Sequence, residues 1–213
     1  MKFTQIPENT FKQIQLNSGI LLSDFDPKDG SFNKQESQLG ATSGGINFSA
    51  SAEYTDFGED IDNCPKNMKE LKQLDSWTVT MSGTFVTVDT RAAKRMVAAA
   101  DIDKNDPTHI IPRVDVVDAD FEDVWWVGDY SNINTGEKAG YLAIHLMNAL
   151  STGGFQIQSS DKGKGNMSFE FTGHFSMENQ DLVPFEIYIR EGEDAEGLRA
   201  SGGVAVPTAT VKK

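Results

Sequence analysis

A mainly β fold, a sandwich or barrel of two antiparallel sheets with one helix packed on its flank, follows from three features of the sequence. Long runs alternate apolar and polar side chains with a period of two, the mark of strands with one wet face. Glycine is frequent, at 19 of 213 residues, and serine, threonine and asparagine are common, which favours turns and strands over helices. Only one segment carries a full helical stripe behind a capping signal.

In chain order, residues 1–10 read as an N-terminal arm, and residues 12–22 as a strand with Ile14, Leu16, Ile20 and Leu22 on one face. Residues 23–41, "SDFDPKDGSFNKQESQLGA", join two strands and are far longer than a hairpin needs; loops of that length are functional or mobile. From Thr42 to Thr55 the even positions carry Ile46, Phe48, Ala50, Ala52 and Tyr54, and the odd ones Asn47, Ser49, Ser51 and Glu53. A short helix is expected from "NCP" at 63–65 through Met68, Leu71 and Leu74, with Asn63 as cap. "WTVTMSGTFVTVD", 77–89, is a strand whose phase slips beside Gly83, the signature of a bulge or bend.

"DTRAAKRMVAAAD" is the convincing helix, with Ala92, Ala93, Met96, Val97 and Ala100 on one stripe and Arg91, Lys94 and Arg95 pointing away. "FEDVWWVGDY" and "PFEIYIR" are strands. "GYLAIHLMNAL" fits a helix through Leu142, Leu146 and Leu150, and equally a doubly buried strand through Leu142, Ile144 and Leu146. From Asn166 to Met177 the odd positions are mostly apolar and the even ones are Ser168, Glu170, Thr172, His174 and Ser176, a long strand with one wet face. The β domain spans 11–190. Residues 191–213 read as a polar tail with a small apolar patch, Val204–Val206, that docks on a neighbour.

The net charge of -13 leaves no basic footprint for a nucleic-acid reader, whereas an acidic wall repels phosphate and lets a polyanion slide; acidity also aids solubility. Cys64 is the one cysteine, which excludes an intrachain disulfide and agrees with a reducing cytosol. The start, "MKFTQIPENTFKQ", has no apolar run for a signal peptide, and no segment has the length of a membrane span, so a soluble protein made in the cytoplasm is expected.

Catalytic motifs fail one by one. Lys162-Gly163-Lys164-Gly165 imitates a phosphate loop, but no Ser or Thr follows Lys164, Gln158 stands where the first glycine belongs, and a strand follows where a helix is needed. The cluster reads as the turn between Gln158 and Asn166, with both lysines in solvent. "DIDKNDPTHIIP", 101–112, starts like a calcium loop but has Asp106 at its glycine position and Pro112 at its glutamate position, and reads as a helix exit with a proline stop. His109, His145 and His174 are scattered, His174 on a wet face and His145 a core candidate; a metal site from two histidines and a glutamate is a minor alternative. Cys64, in an acidic segment, lacks the positive surroundings that activate a thiol. Trp125 and Trp126 have opposite parity, so one ring is expected in the core and the other facing a partner or solvent.

The order "WTVTMSGTFVTVDTRAAKRMVAAADID", "FEDVWWVGDYSN" and "GYLAIHLMNALSTGGFQIQSSDKGKGNMSFEFTGHFSMENQDLVPFEIYI" resembles the major tail proteins of long-tailed, non-contractile bacteriophages over most of residues 10–190. The resemblance implies a β-sandwich tail-tube fold in which "GYLAIHLMNAL" is a strand. It implies a structural virion protein, not an enzyme and without cofactors, assembled in the host bacterial cytoplasm. Such subunits form hexameric rings whose strands combine into one barrel, and the rings stack into a tube that conducts DNA without binding it specifically. Other tail proteins (tape measure, tail terminator, distal tail) are the implied partners, and no membrane is involved. Too few residues follow Arg190 for the immunoglobulin-like domain that some relatives carry.

On that resemblance the ring-stacking loop would comprise Asp24, Phe25, Asp26, Pro27, Lys28, Asp29, Phe32 and Lys34, and deleting Asp24 to Gln38 should spare folding but block stacking. The candidate lumen faces are Asn47, Ser49, Ser51 and Glu53 together with Ser168, Glu170, Thr172 and His174; Lys162 and Lys164 are candidates for an inter-subunit rim. The competing reading is a carbohydrate- or surface-binding sandwich that stacks sugars on Trp125 or Trp126.

Overall fold

The computed structural model describes residues 5–132 and 139–192. Its strands, in chain order, are β1 (Gln15–Leu22), β2 (Gln38–Gly40), β3 (Thr42–Asp56), β4 (Lys72–Phe85), β5 (Ala100–Ile102), β6 (Ile110–Pro112), β7 (Glu122–Tyr130), β8 (Tyr141–Ser151), β9 (Gln156–Gln158), β10 (Asn166–Thr172) and β11 (Phe185–Arg190); helix α1 is Thr90–Val97. The chain is mainly β, with one large antiparallel sheet, a small second sheet and one helix. Among the described residues the large sheet has nine strands, in the order β2-β1-β7-β8-β10-β4-β3, with β11 added to β8 and β9 to β10. β5 and β6 form the small sheet. "GYLAIHLMNAL" is a strand, β8.

The large sheet turns a corner where β10 meets β8 over only two residue pairs, Phe171 with Ser151 and Thr172 with Leu150. Its two halves close over one core: Val79, Met81, Phe85, Phe169 and Phe171 from β4 and β10, and Leu21, Trp126 and Leu146 from β1, β7 and β8. Phe85 and Phe169 pack at 4.3 Å between ring centroids, and Phe185 of β11 bridges the halves to Trp77 at 5.4 Å and Phe48 at 5.8 Å. Each fully buried aliphatic or aromatic side chain contributes about 1.5–3 kcal/mol.

α1 caps one end of this core. Asp89 accepts the Ala92 N–H at 2.7 Å, and Ala92 and Met96 are buried. The helix stops early, at Ala98 with φ 69°, and Ala100 belongs to β5. Lys94 and Arg95 do not point away as the stripe implied. Both turn onto Glu122 of β7, Lys94 at 3.5 Å and Arg95 closer.

Several elements differ from expectation for local reasons. The first strand starts at Gln15, leaving Ile14 outside, and two extra residues between Leu16 and Ile20 loop out through Asn17 (φ 60°) and Gly19 (φ 68°). Only glycine fits there: a Cβ on Gly19 would lie 2.5 Å from Trp126 Nε1, which donates to the Ser18 carbonyl at 3.0 Å. The helix expected over 63–74 is a single tight turn, Lys69–Leu71, and Asn63 adopts φ 62° instead of capping. β4 begins at Lys72 and ends at Phe85, so Val86 and Val88 lie beyond it. The irregularity near Gly83 lies in the partner strand, where Gly44 and Gly45, both at φ 83°, bulge between Thr42 and Ile46. Residues 101–112 are not a plain helix exit but the β5–β6 hairpin, with Pro112 paired to Ala100. β10 ends at Thr172, which leaves Phe175 and Met177 exposed. The expected tail, apart from 191 and 192, and the first four residues of the arm lie outside the described residues.

Candidate functional site

The two wet faces expected on separate strands are one surface. β4 pairs β3 on one side and β10 on the other, in registers that align their polar positions into rows. Asn47, Ser82 and Glu170 form one row, and Ser49, Thr80 and Thr172 the next. Ser51 faces Thr78, Glu53 faces Ser76, and Ser168 faces Thr84. Asn47, Ser49, Ser51, Glu53, Ser168 and Glu170 are exposed, and Thr172 is half-buried. The middle row of β4 was legible as the polar parity opposite Trp77, Val79 and Met81, and its position between the other two strands joins their polar rows into one face.

His174 does not belong to this face. It lies beyond the end of β10, with its ring edge-on to Phe121 at 5.3 Å and Nδ1 3.2 Å from the Asn148 carbonyl oxygen.

The surface is built of short hydroxyl and amide side chains that satisfy one another. Glu53 accepts from Ser76 at 3.2 Å and from Thr78 at 3.0 Å. Thr152 bonds Glu170 at 3.2 Å and Thr172 at 2.8 Å. The rows contain two carboxylates and neither lysine nor arginine. The face is therefore mostly hydroxylated with a small net negative charge, and the acidity of the chain resides mostly elsewhere. It has no cation to hold phosphate and few apolar groups to grip bases.

Lys162 and Lys164 occupy the tight turn between β9 and β10, closed by the Gly163 N–H on the Ser160 carbonyl at 3.1 Å, with Lys162 at φ 56°. Both are exposed, and Lys164 reaches Ser43 at 3.2 Å, beside the bulge that starts β3. The cluster is a hairpin turn at the border of the polar face.

The long loop is pinned to its own chain. Phe25 is 4% exposed, set against Trp125 at 5.6 Å and Tyr141 at 5.2 Å, and Phe32 packs on the same cluster. Asp26 and Ser31 form a small bridge, the Tyr141 hydroxyl donates to the Pro27 carbonyl, and Ser37 is buried. The Ser31 side chain and amide hold the Asp29 carboxyl below its usual range. Phe25 is thus a core anchor, not a free stacking contact, and deletion of Asp24 to Gln38 would strip the cover from Trp125. Asp24, Asp26, Lys28, Asp29 and Lys34 remain exposed.

Trp125 and Trp126 are both buried, at 7% and 9% exposure, on opposite sides of β7. Neither faces solvent, contrary to expectation, because loop 23–41 covers the outer one. Beside Trp125 lies a polar row that sequence reasoning missed: His145 stacks on Trp125 at 3.8 Å and Glu186 follows in register on β11. His145 Nε2 lies 3.0 Å from Asp123, and Glu186 accepts from Tyr188. The His145 bond, with help from the Asn148 amide, holds the Asp123 carboxyl below its usual range, and Glu186 pushes the Tyr188 phenol up. His109 sits apart beside Asp103 at 3.6 Å, so the three histidines are not brought together. Among the described residues no group of three His, Cys, Asp or Glu side chains is set to hold a metal ion.

No protein-family model matches the chain, and no curated protein is significantly similar to it.

Proposed function

We propose that this chain is the structural subunit of a phage tail tube, which assembles into stacked hexameric rings around a lumen that conducts DNA, and that it has no catalytic role. The observation that carries the reading is the polar face of β3, β4 and β10 combined with its open border. β3 ends the sheet, and its outer side pairs with no strand among the described residues over fifteen positions. A long free edge is a template for another strand. Its one wet face, hydroxylated and without cations, suits the inside of a water-filled barrel formed when such edges join between copies. DNA would pass such a wall without being held.

The sixfold ring, the virion location and the partners at the tube ends rest on the resemblance of the segment order to tail proteins. The sugar-binding alternative drew on Trp125 or Trp126 as stacking platforms, and both rings are buried.

The test is sedimentation and negative-stain microscopy of purified protein across a concentration range, with and without nucleating tail components. Rings or tubes with an axial channel are expected. Monomers under every condition would refute the reading.

A further inference from the structure

The β3–β4 ribbon runs past the body of the protein. β10 flanks β4 only over Thr80–Phe85, so Lys72–Thr78, roughly 23 Å of strand, has β3 alone beside it among the described residues. Along the body the apolar side of the ribbon holds the even positions of β3 (Phe48, Ala50, Ala52) and the odd positions of β4 (Trp77, Val79, Met81). Strict alternation would turn Leu74 to the wet side with Ser76. The register shifts instead: Glu53 faces Ser76 while Tyr54 faces Leu74, and Asp75 is the extra residue. Asp75 accepts from Thr55 on the wet side, and Leu74 comes round to join Tyr54 on the apolar side.

Among the described residues that side has little cover: only the Lys72 ammonium stands over the Tyr54 ring, 5.6 Å from its centroid. Tyr54 is 56% and Leu74 46% exposed, and Phe57 and Ile61 beyond them are exposed too. A bulge that keeps an apolar face in phase outside the core marks a face buried by something else.

We propose that the apolar side of this ribbon is buried on a second copy of the chain, at the border formed by β11. The inference rests on the tube reading and names a contact within it. The complement is present in the same molecule: among the described residues β11 pairs with β8 alone, which leaves its outer edge unpaired. Ile187 and Ile189, on the same side of the strand as Phe185, are 50% and 62% exposed. Each surface presents, among the described residues, an unpaired strand edge beside uncovered apolar side chains that the other can bury. The two surfaces differ, so the contact is head-to-tail, the type that closes into a ring when the rotation per subunit permits.

Two measurements on the full-length chain test this. The first is the concentration for half-assembly of the double variant Tyr54→Ser, Leu74→Ser, with circular dichroism to show that the fold is kept. An increase of about tenfold or more is expected, the effect of losing anchors at an interface centre. The second uses the native Cys64, free and half-buried near the ribbon tip beside Gly58. A maleimide–benzophenone placed on it is photo-crosslinked in the assembled wild type, and the adduct is mapped by mass spectrometry. A chain-to-chain adduct on residues 181–192 is expected. Assembly of the variant at the wild-type concentration, or an adduct on any other segment, overturns the inference while leaving the tube reading standing. If the variant misfolds, the crosslink on the wild type decides. A wild type that never leaves the monomer removes the tube reading, and this contact with it.

Discussion

The two halves of the large sheet treat their outer faces in opposite ways. On the half built from β1, β7, β8 and β11, the chain spends a long loop and two phenylalanines to cover Trp125 and Tyr141. On the half built from β3, β4 and β10, no element among the described residues covers the outer face, and its side chains are mostly small hydroxyls that tolerate water. The difference teaches that the wet face is not an unfinished core. Along β10 and the part of β4 beside it the alternation is unbroken, its polar groups bond one another, and its inner side gives Val79, Met81, Phe85, Phe169 and Phe171 to the shared core. A face kept bare beside an edge kept open is suited to an assembly; a face covered by its own loop is finished within the monomer.

The comparison breaks most visibly at Phe25. Phe25→Ala removes a buried ring from between Trp125 and Tyr141 and should cost about 3–5 kcal/mol, read as a lower midpoint in denaturant unfolding. A change under about 1 kcal/mol would show that the loop is not the cover described here. Removal of the whole segment from Asp24 to Gln38 should be at least as damaging.

A smaller effect is expected at Asp123, on the covered half but half-exposed. Its folded carboxyl lies below the unfolded value of about 3.9, so its pairing with His145 and Asn148 stabilises the fold above that pH and is lost as pH falls through the lower folded value. Asp123→Asn should therefore flatten the acid side of the stability profile by less than about 1 kcal/mol, since solvent screens the pair. A profile unchanged between pH 5 and pH 2, as an order-of-magnitude window about that value, would contradict the assignment.

On the bare half, Ser49→Lys with Ser51→Lys should move stability by no more than about 0.5 kcal/mol, because both side chains stand in water. In assembled tubes the same change should make DNA retention appear at low salt and vanish at high salt. A large loss of stability would mean that the face is packed against something. The smallest effect on the fold is expected from Lys162→Glu with Lys164→Glu, at an exposed turn: unfolding should be unchanged. Assembly that is also unchanged would remove these lysines from any rim contact.

Legibility in the sequence followed locality. The alternation of 42–55 and 166–172 showed both polar rows, and the Asp161–Gly165 stretch showed its turn, because strand period and turn chemistry are properties of neighbours in the chain. That the two rows are one surface depends on β4 pairing both, which no local signal carries. Trp125 and Trp126 were legible as facing opposite ways, but the cover over Trp125 comes from Phe25, a hundred residues earlier. Met68, Leu71 and Leu74 imitate a helical stripe, but Met68 and Leu71 bound a single tight turn and Leu74 lies in β4; a three-residue spacing across a turn and a strand looks like a helix in one dimension. In β1 the inserted pair of residues preserves parity, so Leu16 and Ile20 looked continuous across a break. Leu21 and Leu22, both fully buried on opposite faces, show how a strand with two covered sides erases the alternation that would reveal it.

The central claim is that the polar face of β3, β4 and β10 lines a channel made by many copies of this chain. Cryo-electron microscopy of the assembled protein tests it most directly. The account predicts a ring or tube in which Ser49, Ser51, Thr80 and Ser168 face the axial lumen and β3 pairs across the subunit boundary. A particle with that face turned outward, or a preparation containing only monomers at high concentration, would contradict it.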